Sequence, residues 1–226
     1  SYSSPHEVDG LTPIVSIAAG DASSFAIDVD SCVYAWGMNT AGQLGDGTRI
    51  SSGSPVKLKV NGTDFDGVSK IAAGYVHTVA LKYDGTVWTW GNNNLGQLGI
   101  NGISSSQSPR QIPRSSFNNK TIADIVCGEN HTLARADDGS LYVWGANTNG
   151  QLGIGSTSTS QKIPMALGIK VKAIAAGGKH SAAILLNDTL ATWGNNTSGQ
   201  LGTGDYAQRT EPGGISIYSN TAFTCL

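Results

Sequence analysis

The sequence has few charged residues and almost no net charge. Charged side chains make up 13% of its 226 residues, and the formal net charge is −2 at pH 7. Nucleic acids and anionic membranes attract basic patches, so this composition argues against both partners. No apolar run approaches the roughly 18 residues that span a bilayer, and residues 1–10 lack the basic start and apolar stretch of a secretion signal. We therefore expect no nucleic-acid partner and no membrane span.

Cysteine is also scarce. The three cysteines, Cys32, Cys127 and Cys225, cannot pair completely within one chain. Cys127 and Cys225 fall at equivalent points of an internal repeat, which is the pattern of two ordinary buried thiols. The cysteine content therefore leaves the compartment open.

Catalytic motifs are missing. The chain has no nucleophile elbow, no His-Glu-x-x-His and no phosphate-binding glycine loop. Strings such as Gly45-Asp46-Gly47 belong to the repeat and precede no helical pattern. We therefore predict a protein that is not an enzyme, with no catalytic residue, no cofactor and no metal. The alternative is an active site assembled from loops, which would leave no motif.

The chain does contain a fourfold internal repeat. The tetrapeptide Gly-Gln-Leu-Gly begins at Gly42, Gly96, Gly150 and Gly199. A Trp-Gly pair precedes each copy, at Trp36, Trp90, Trp144 and Trp193. Successive copies are 54, 54 and 49 residues apart, and the difference falls after the linker proline, as expected for a loop outside the packed unit. This predicts one domain over residues 1–226, with repeats at about 5–54, 55–108, 109–163 and 164–211 and a fifth starting in 212–226.

Strand signals are clear within one copy. Residues 78–83 and 86–90 are rich in β-branched and aromatic residues and flank Asp84-Gly85. An Asp-Gly pair in this setting predicts a hairpin with a primed turn, which has positive φ at both central residues. Asp138-Gly139 repeats the pattern in the third copy.

The first and fourth copies lack the Asp-Gly pair. They carry Asp30-Ser31 and Asp188-Thr189 instead, so we expect longer or distorted loops there. About four short strands in each repeat of roughly 50 residues, with a glycine and aromatic signature, are typical of a β-propeller blade.

Two motifs carry a resemblance to a known family. Trp-Gly-x-Asn-x-x-Gly-Gln-Leu-Gly at residues 90–99 and Gly-x-x-His-Thr at residues 74–78 resemble the repeat of the regulator-of-chromosome-condensation family. The resemblance covers nearly the whole chain. It implies an all-β, usually seven-bladed propeller, of which the four repeats would form an open arc or a part. It also implies a choice of functions, since members include a nuclear GTPase exchange factor, an ultraviolet-B photoreceptor, β-lactamase inhibitors and interaction domains.

Most repeated residues have structural explanations. We expect the repeated tryptophans to fill the space between neighbouring sheets and to donate the indole N–H to a backbone carbonyl. The glycines of Gly-Gln-Leu-Gly suit positive φ or close backbone approach. The leucines would anchor the turn, while Gln43 and Asn39 would cap its backbone groups.

Histidine follows the small-residue glycine by three positions at His77, His131 and His180. A ring of imidazoles resembles a metal site. We favour a structural role, because equivalent residues of neighbouring blades are expected to lie far apart and Ser23 replaces histidine in the first copy. The family resemblance also implies that this histidine is a hydrogen-bonding core residue.

Six Asn-x-Ser/Thr sequons are present. The candidate glycosylation sites are Asn61, Asn119 and Asn187, whereas Asn130, Asn195 and Asn196 fall next to repeated core or turn residues. The sequons favour an extracellular or cell-surface location. The nuclear and cytosolic members of the family support the alternative.

Four copies are too few for a closed ring of the family type, so both ends should expose apolar sheet faces that need partners. The chain could be a portion of a seven-bladed protein, half of a two-arc ring, or a unit of a head-to-tail array. We predict a non-enzymatic protein-interaction or structural propeller that binds a protein partner or itself through these ends. The alternative that the resemblance implies is a guanine-nucleotide exchange factor for a small GTPase.

Overall fold

The computed structural model describes residue 4 and residues 6–214. The predicted start of a fifth repeat lies outside the described residues from 215 onward, and so does Cys225. The described part is built from antiparallel β-sheets whose strands follow one another along the chain. Apart from one short 3-10 helix, it contains strands, turns and loops.

The first two blades are separate four-stranded sheets joined by a small hairpin. Blade one contains β1 (Ile14–Ala19), β2 (Ser23–Asp28), β3 (Val33–Gly37) and β4 (Ser52–Lys57). The hairpin contains β5 (Lys59–Val60) and β6 (Thr63–Asp64). Blade two contains β7 (Val68–Ala73), β8 (His77–Lys82), β9 (Val87–Asn92) and β10 (Ser105–Gln111).

Blades three and four share one long strand. After the 3-10 helix (Arg114–Phe117) come β11 (Ile122–Cys127), β12 (His131–Ala136), β13 (Ser140–Ala146), β14 (Ser160–Ala176), β15 (His180–Leu185), β16 (Leu190–Gly194) and β17 (Arg209–Gly214). The first part of β14 pairs with β13 as far as Lys170, and the rest pairs with β15 from Val171. The shorter third linker therefore lacks the insertion that the first two linkers contain.

The hairpin turns differ from the predicted primed turns. Gly85 and Gly139 have φ of +76° and +86°, but Asp84 and Asp138 are not in the positive-φ region. In blade two, Gly85 N–H donates to the Lys82 carbonyl at 2.9 Å, and Lys82 N–H donates to the Thr86 carbonyl at 3.0 Å. This is a three-residue loop closed by one left-handed residue. The prediction of two positive φ values was wrong.

The turns of blades one and four are not distorted either. Ser31 and Asp188 adopt φ of +62° and +67° where the other two blades have glycine. Ser31 N–H donates to Asp28 at 2.9 Å, and Asp188 N–H donates to Leu185 at 3.1 Å. The expectation of longer or distorted loops was wrong. In the fourth copy the left-handed residue is Asp188, whereas the alignment with Asp-Gly had put Thr189 at the glycine position.

The hydrophobic core lies between blades. Each of three clusters is centred on one fully buried tryptophan: Trp90, Trp144 or Trp193. Each cluster combines side chains of one blade with side chains of the blade that follows it along the chain. The sheets do not close into a ring within the described residues, so Trp36 of blade one has no preceding blade and is only half-buried.

Candidate functional site

The repeated turn is held by its own side chains. Asn39 Oδ1 accepts a hydrogen bond from Leu44 N–H at 2.9 Å, and Gln43 Oε1 accepts one from Ala41 N–H at 2.9 Å. The same hydrogen bond, from the leucine N–H to the asparagine Oδ1, recurs in the other three copies at 2.9–3.0 Å. The first glycines of the four turns, Gly42, Gly96, Gly150 and Gly199, have φ of +82°, +75°, +68° and +74°.

Each turn is also fastened to the next blade. The Gln43 carbonyl accepts hydrogen bonds from Trp90 Nε1 and Thr78 Oγ1, both at 2.8 Å. The Gln97 carbonyl accepts from Trp144 at 3.0 Å and Thr132 at 3.5 Å. The Gln151 carbonyl accepts from Trp193 at 2.9 Å and Ser181 at 2.7 Å. One backbone carbonyl of each turn therefore joins two neighbouring blades.

The three histidines extend this network. His77 Nε2 lies 3.1 Å from Thr132 Oγ1, and His131 Nε2 lies 2.9 Å from Ser181 Oγ. Burial lowers the pKa of His77 to about 4, and burial with the neighbouring imidazoles lowers the pKa of His131 to about 3. His180 is half-buried at the start of β15, and burial lowers its pKa too. Among the described residues, no group of His, Cys, Asp and Glu is arranged to hold a metal ion.

The inner ends of neighbouring blades lie close together. Tyr75 N–H donates to the Glu129 carbonyl at 2.9 Å, and Glu129 N–H donates to the Gly178 carbonyl at 3.0 Å. A Cβ on Gly74 would lie 2.6 Å from the Gly128 carbonyl oxygen. The expectation that equivalent residues of neighbouring blades lie far apart was therefore wrong for these backbone positions.

A cavity of about 460 Å³ opens where the inner strand ends of all four blades converge. We call it the axial cup. Its walls are mainly glycine and alanine, and its larger side chains are Asp21, Tyr75 and Glu129. Tyr75 is 46% exposed, and the Glu129 carboxylate pairs with Lys179 at 3.9 Å. The cup thus offers carboxylates and one aromatic ring to a ligand.

The one thiol in the axial cup is not poised for reaction. Burial raises the pKa of Cys127 to about 12, and its Sγ lies 3.4 Å from the Ala72 carbonyl. A thiol with this pKa stays protonated at neutral pH, whereas the thiolate is the nucleophile. Binding is the chemistry that this arrangement supports.

The candidate glycosylation sites lie on exposed turns. Asn61, Asn119 and Asn187 are all exposed, and the first two have φ of +52° and +61°. Asn196 is fully buried, and its amide donates to the carbonyls of Asp205 and Ala207. The structure thus separates exposed sequons from one that forms part of a turn.

Sequence reasoning missed two aromatic residues in the linkers. Phe65 packs edge-on against Trp88 and Trp90, with ring centroids 5.4 and 5.9 Å apart. Phe117 packs in the same way against Tyr142 and Trp144. Each phenylalanine lies in one of the two longer linkers, and this shared position was the signal that the sequence offered for their role. The longer linkers therefore add to the core between blades.

Comparisons with known proteins identify the family. The RCC1-like domain matches residues 1–225. The chain is 37% identical over 160 residues to human HERC3, a probable E3 ubiquitin-protein ligase, covering 70% of this chain and 15% of that protein. It is 36% identical over 168 residues to the ultraviolet-B receptor UVR8 of Arabidopsis thaliana, covering 73% of this chain and 37% of the receptor.

Solved structures agree with this assignment. Prp20p of Saccharomyces cerevisiae, whose structure was reported with its binding properties to Gsp1p and histones, is 27% identical with a TM-score of 0.83. The similarity covers 97% of this chain and 54% of Prp20p. Human WBSCR16 is 25% identical with a TM-score of 0.84, covering 95% of this chain and 56% of WBSCR16. The chain therefore spans about half the length of these solved relatives.

The described residues contain no helix with the length and apolar character needed to cross a membrane. The predicted all-β propeller class and the predicted family are confirmed. RCC1-like domains occur in proteins that bind other proteins, Prp20p among them. The chain belongs to the RCC1-like domain family of β-propellers.

Proposed function

We propose that this chain is a non-enzymatic protein-interaction propeller that binds a basic segment of a partner protein in the axial cup. The observation that carries the proposal is the convergence of turns from all four blades around Asp21, Tyr75 and Glu129. Carboxylates attract a lysine or arginine side chain, and an exposed aromatic ring adds a cation–π contact. Because the cup walls are backbone and small side chains, a long side chain can enter it.

The relatives support protein binding. Gsp1p and histones are the partners named for Prp20p, and another Prp20 structure contains Kap60. Histones are basic proteins, which is the chemistry that the axial cup favours. The ligase activity named for HERC3 belongs to a protein of which this chain covers 15%, and our proposal does not include it.

The test uses purified core histones and Gsp1p as labelled probes in fluorescence anisotropy. Tyr75→Ala and Glu129→Gln should each weaken binding of the basic probe at least about tenfold, the typical loss for a buried hot-spot residue. Tyr83→Ala is the matched control, because Tyr83 is 73% exposed in a hairpin turn at the opposite end of the strands. Absence of binding to both probes, or equal affinity in all variants, would overturn the proposal.

Guanine-nucleotide exchange is the alternative function. It rests on the family resemblance, and no described residue has been matched to an exchange element. Release of labelled GDP from Gsp1p and from a panel of small GTPases tests it directly. Accelerated release would replace the simple binding role, and unchanged release throughout would dispose of the alternative.

The proposal includes an extracellular or cell-surface location with N-glycans on Asn61, Asn119 and Asn187. Its support is the exposure of these three asparagines. Expression through a secretory pathway should give a mass that falls after glycosidase treatment, in steps that disappear with Asn61→Gln, Asn119→Gln and Asn187→Gln. Asn196→Gln should leave the glycan mass unchanged because Asn196 is buried. Unmodified protein would remove the support for glycans.

A further inference from the structure

A groove lies between β10, the outer strand of blade two, and the loops of blade one. Its volume is about 650 Å³, and Trp88, Ser106, Pro109 and Arg110 are among the residues that line it. The β5–β6 hairpin forms one edge through Asn61. Ligand pockets have volumes of roughly 300–1,000 Å³, so the space suits a ligand of several residues. We call it the rim groove.

A bulge in β10 shapes the rim groove. Strand β10 pairs with β9 at Ser106 opposite Gly91 and again at Arg110 opposite Thr89, so three residues of β10 face one residue of β9. Bulges of this kind re-aim side chains. The Ser106 hydroxyl donates to the Ser108 carbonyl at 2.7 Å and accepts a hydrogen bond from Arg110 Nε at 3.2 Å. The bulge therefore holds the guanidinium at the groove by its Nε and leaves the two terminal nitrogens without a partner among the described residues.

A second arginine reaches the same strand from blade one. Arg49 lies in the loop between β3 and β4, and its Nη2 donates to Ser105 Oγ at 2.7 Å. In the amide orientation that satisfies both neighbours, Gln107 accepts a hydrogen bond from Arg49 Nε at 3.2 Å and donates one to the Gly47 carbonyl at 3.0 Å. Two arginines, one from each blade, are therefore held by neighbouring residues of β10.

The positive charge of these two arginines is not compensated. Within residues 4 and 6–214, neither guanidinium has a carboxylate partner, whereas Arg209 of blade four pairs with Asp205 at 2.8 Å. The carboxylate of Asp46, in the same loop as the first arginine, accepts hydrogen bonds from Asn39 and Thr48 instead. None of the described residues that line the rim groove is acidic. The groove therefore attracts an anion.

The propeller repeat does not require either arginine. Strand pairing places three uncharged residues at the position of Arg110 in the other blades: Val56, Met165 and Gly213. Four residues after the last glycine of the repeated turn, where blade one has Arg49, the other blades have Ile103, Thr157 and Tyr206. A side chain that three of four copies build without is available for a ligand.

We propose that the rim groove binds a tetrahedral oxyanion ester, a phosphate or a sulfate, on a side chain of a partner protein. The planar fork of Arg110 suits two parallel hydrogen bonds to such an oxyanion. Arg49 adds a second positive charge, while Trp88 and Pro109 offer apolar contact to the residues around the modified one. The site is separate from the axial cup, which favours a basic segment. Phosphoserine and sulfotyrosine are the two sources of this chemistry that the experiment compares.

The first test measures fluorescence anisotropy of labelled glycine-serine peptides that carry one central phosphoserine or one central sulfotyrosine. The protein is made in bacteria without glycans, because Asn61 lines the same groove. At least one modified peptide should bind about tenfold or more tightly than its unmodified serine or tyrosine counterpart. Its affinity should fall as salt rises, since the contact is between charges. The modified peptide that binds more tightly identifies the source of the oxyanion. Equal affinity of modified and unmodified peptides would overturn the proposal.

The second test assigns binding to the rim groove. Arg110→Ala should weaken binding of the modified peptide at least about tenfold, and Arg110→Lys should restore only part of it, because an ammonium keeps the charge but lacks the fork. Arg114→Ala is the matched control, since it removes the same charge from the 3-10 helix, where the Arg114 guanidinium donates to the Asp84 carbonyl.

The axial-cup variant Tyr75→Ala should leave peptide affinity unchanged, so failure of histone or Gsp1p binding is scored separately from failure here. Wild-type affinity in Arg110→Ala, or an equal loss in Arg114→Ala, would overturn the proposal. Circular dichroism checks that the variants are folded.

Discussion

At the scale of residues, the buried imidazoles connect stability to pH. His77 and His131 are 1% and 0% exposed, and burial is the largest cause of their lowered pKa values. A neutral imidazole in this place accepts or donates one hydrogen bond to the next blade without the penalty of a buried charge. The network between blades therefore depends on the neutral form of these side chains.

The first prediction is a loss of stability in mild acid. The pKa of His77 is about 4 in the folded chain and about 6.5 in an unfolded chain. Between these values the unfolded chain binds more protons than the folded chain. The stability that the neutral His77 contributes is therefore fully present above pH 6.5, and the free energy of unfolding decreases as pH falls toward 4. Urea unfolding at pH 7.5 and pH 5 should differ by about 2 kcal/mol for each such histidine.

Variants assign this pH dependence to a residue. His77→Gln should reduce the difference in unfolding free energy between pH 7.5 and pH 5 by about the amount expected for one histidine. His180→Gln should reduce it less, because His180 is only half-buried. An unchanged difference in His77→Gln would contradict the assignment.

The second prediction separates backbone strain from close contact at the repeated glycines. Gly45 and Gly204 both have φ of +79°. A Cβ on Gly45 would lie 2.7 Å from Trp90 Nε1, but one on Gly204 would meet nothing within 4 Å. Gly204→Ala should cost about 1 kcal/mol of unfolding free energy from the left-handed backbone, and Gly45→Ala should cost about 1–3 kcal/mol more from overpacking. Denaturant titration measures both, and equal losses would argue against the tight contact.

At the scale of elements, the hairpins show how one turn tolerates different residues. Gly85, Gly139, Ser31 and Asp188 all occupy the single left-handed position. The Asp-Gly pairs in the sequence predicted hairpins correctly, but the prediction of positive φ at both residues was wrong. The sequence pattern does not show how many residues the loop contains. That count depends on the register of the paired strands, such as Leu81 opposite Val87.

The third prediction concerns this turn. Ser31→Gly should stabilise the chain by up to about 1 kcal/mol, since glycine adopts left-handed φ without a Cβ clash. The backbone hydrogen bonds of Ser31 to Asp28 and Val68 remain available. Gly139→Ser should have the opposite sign at the equivalent position. Thermal and urea unfolding of both variants measure the pair, and a destabilised Ser31→Gly would contradict the turn geometry.

At the scale of the whole molecule, stability should vary along the array. Strands β8 and β12 lie in blades with neighbours on both sides, and their residues are almost all buried. Strand β15 occupies the same place in blade four, but Ile184 is exposed there. Arrays of repeats are stabilised by the contacts of each repeat with its neighbours, so a blade with one neighbour among the described residues is expected to open more readily.

The fourth prediction follows for amide hydrogen exchange. Exchange measured by mass spectrometry should be faster in β15 than in the more buried β8 and β12, and faster in β1 than in the more buried β7 and β11. Uniform exchange across the four blades would contradict the role of junctions between blades.

The sequence by itself determined the repeat, the all-β propeller class and the family, because Gly-Gln-Leu-Gly and Trp-Gly recur in linear order with nearly constant spacing. Only the tertiary structure decided what each copy does. Trp90 and Trp36 occupy the same repeat position, but Trp90 donates to the Gln43 carbonyl of a preceding blade and Trp36 lines a cavity together with Ser54 and Pro55. The axial cup is another such feature. Both depend on which blades are adjacent in space, and local sequence patterns do not contain that information.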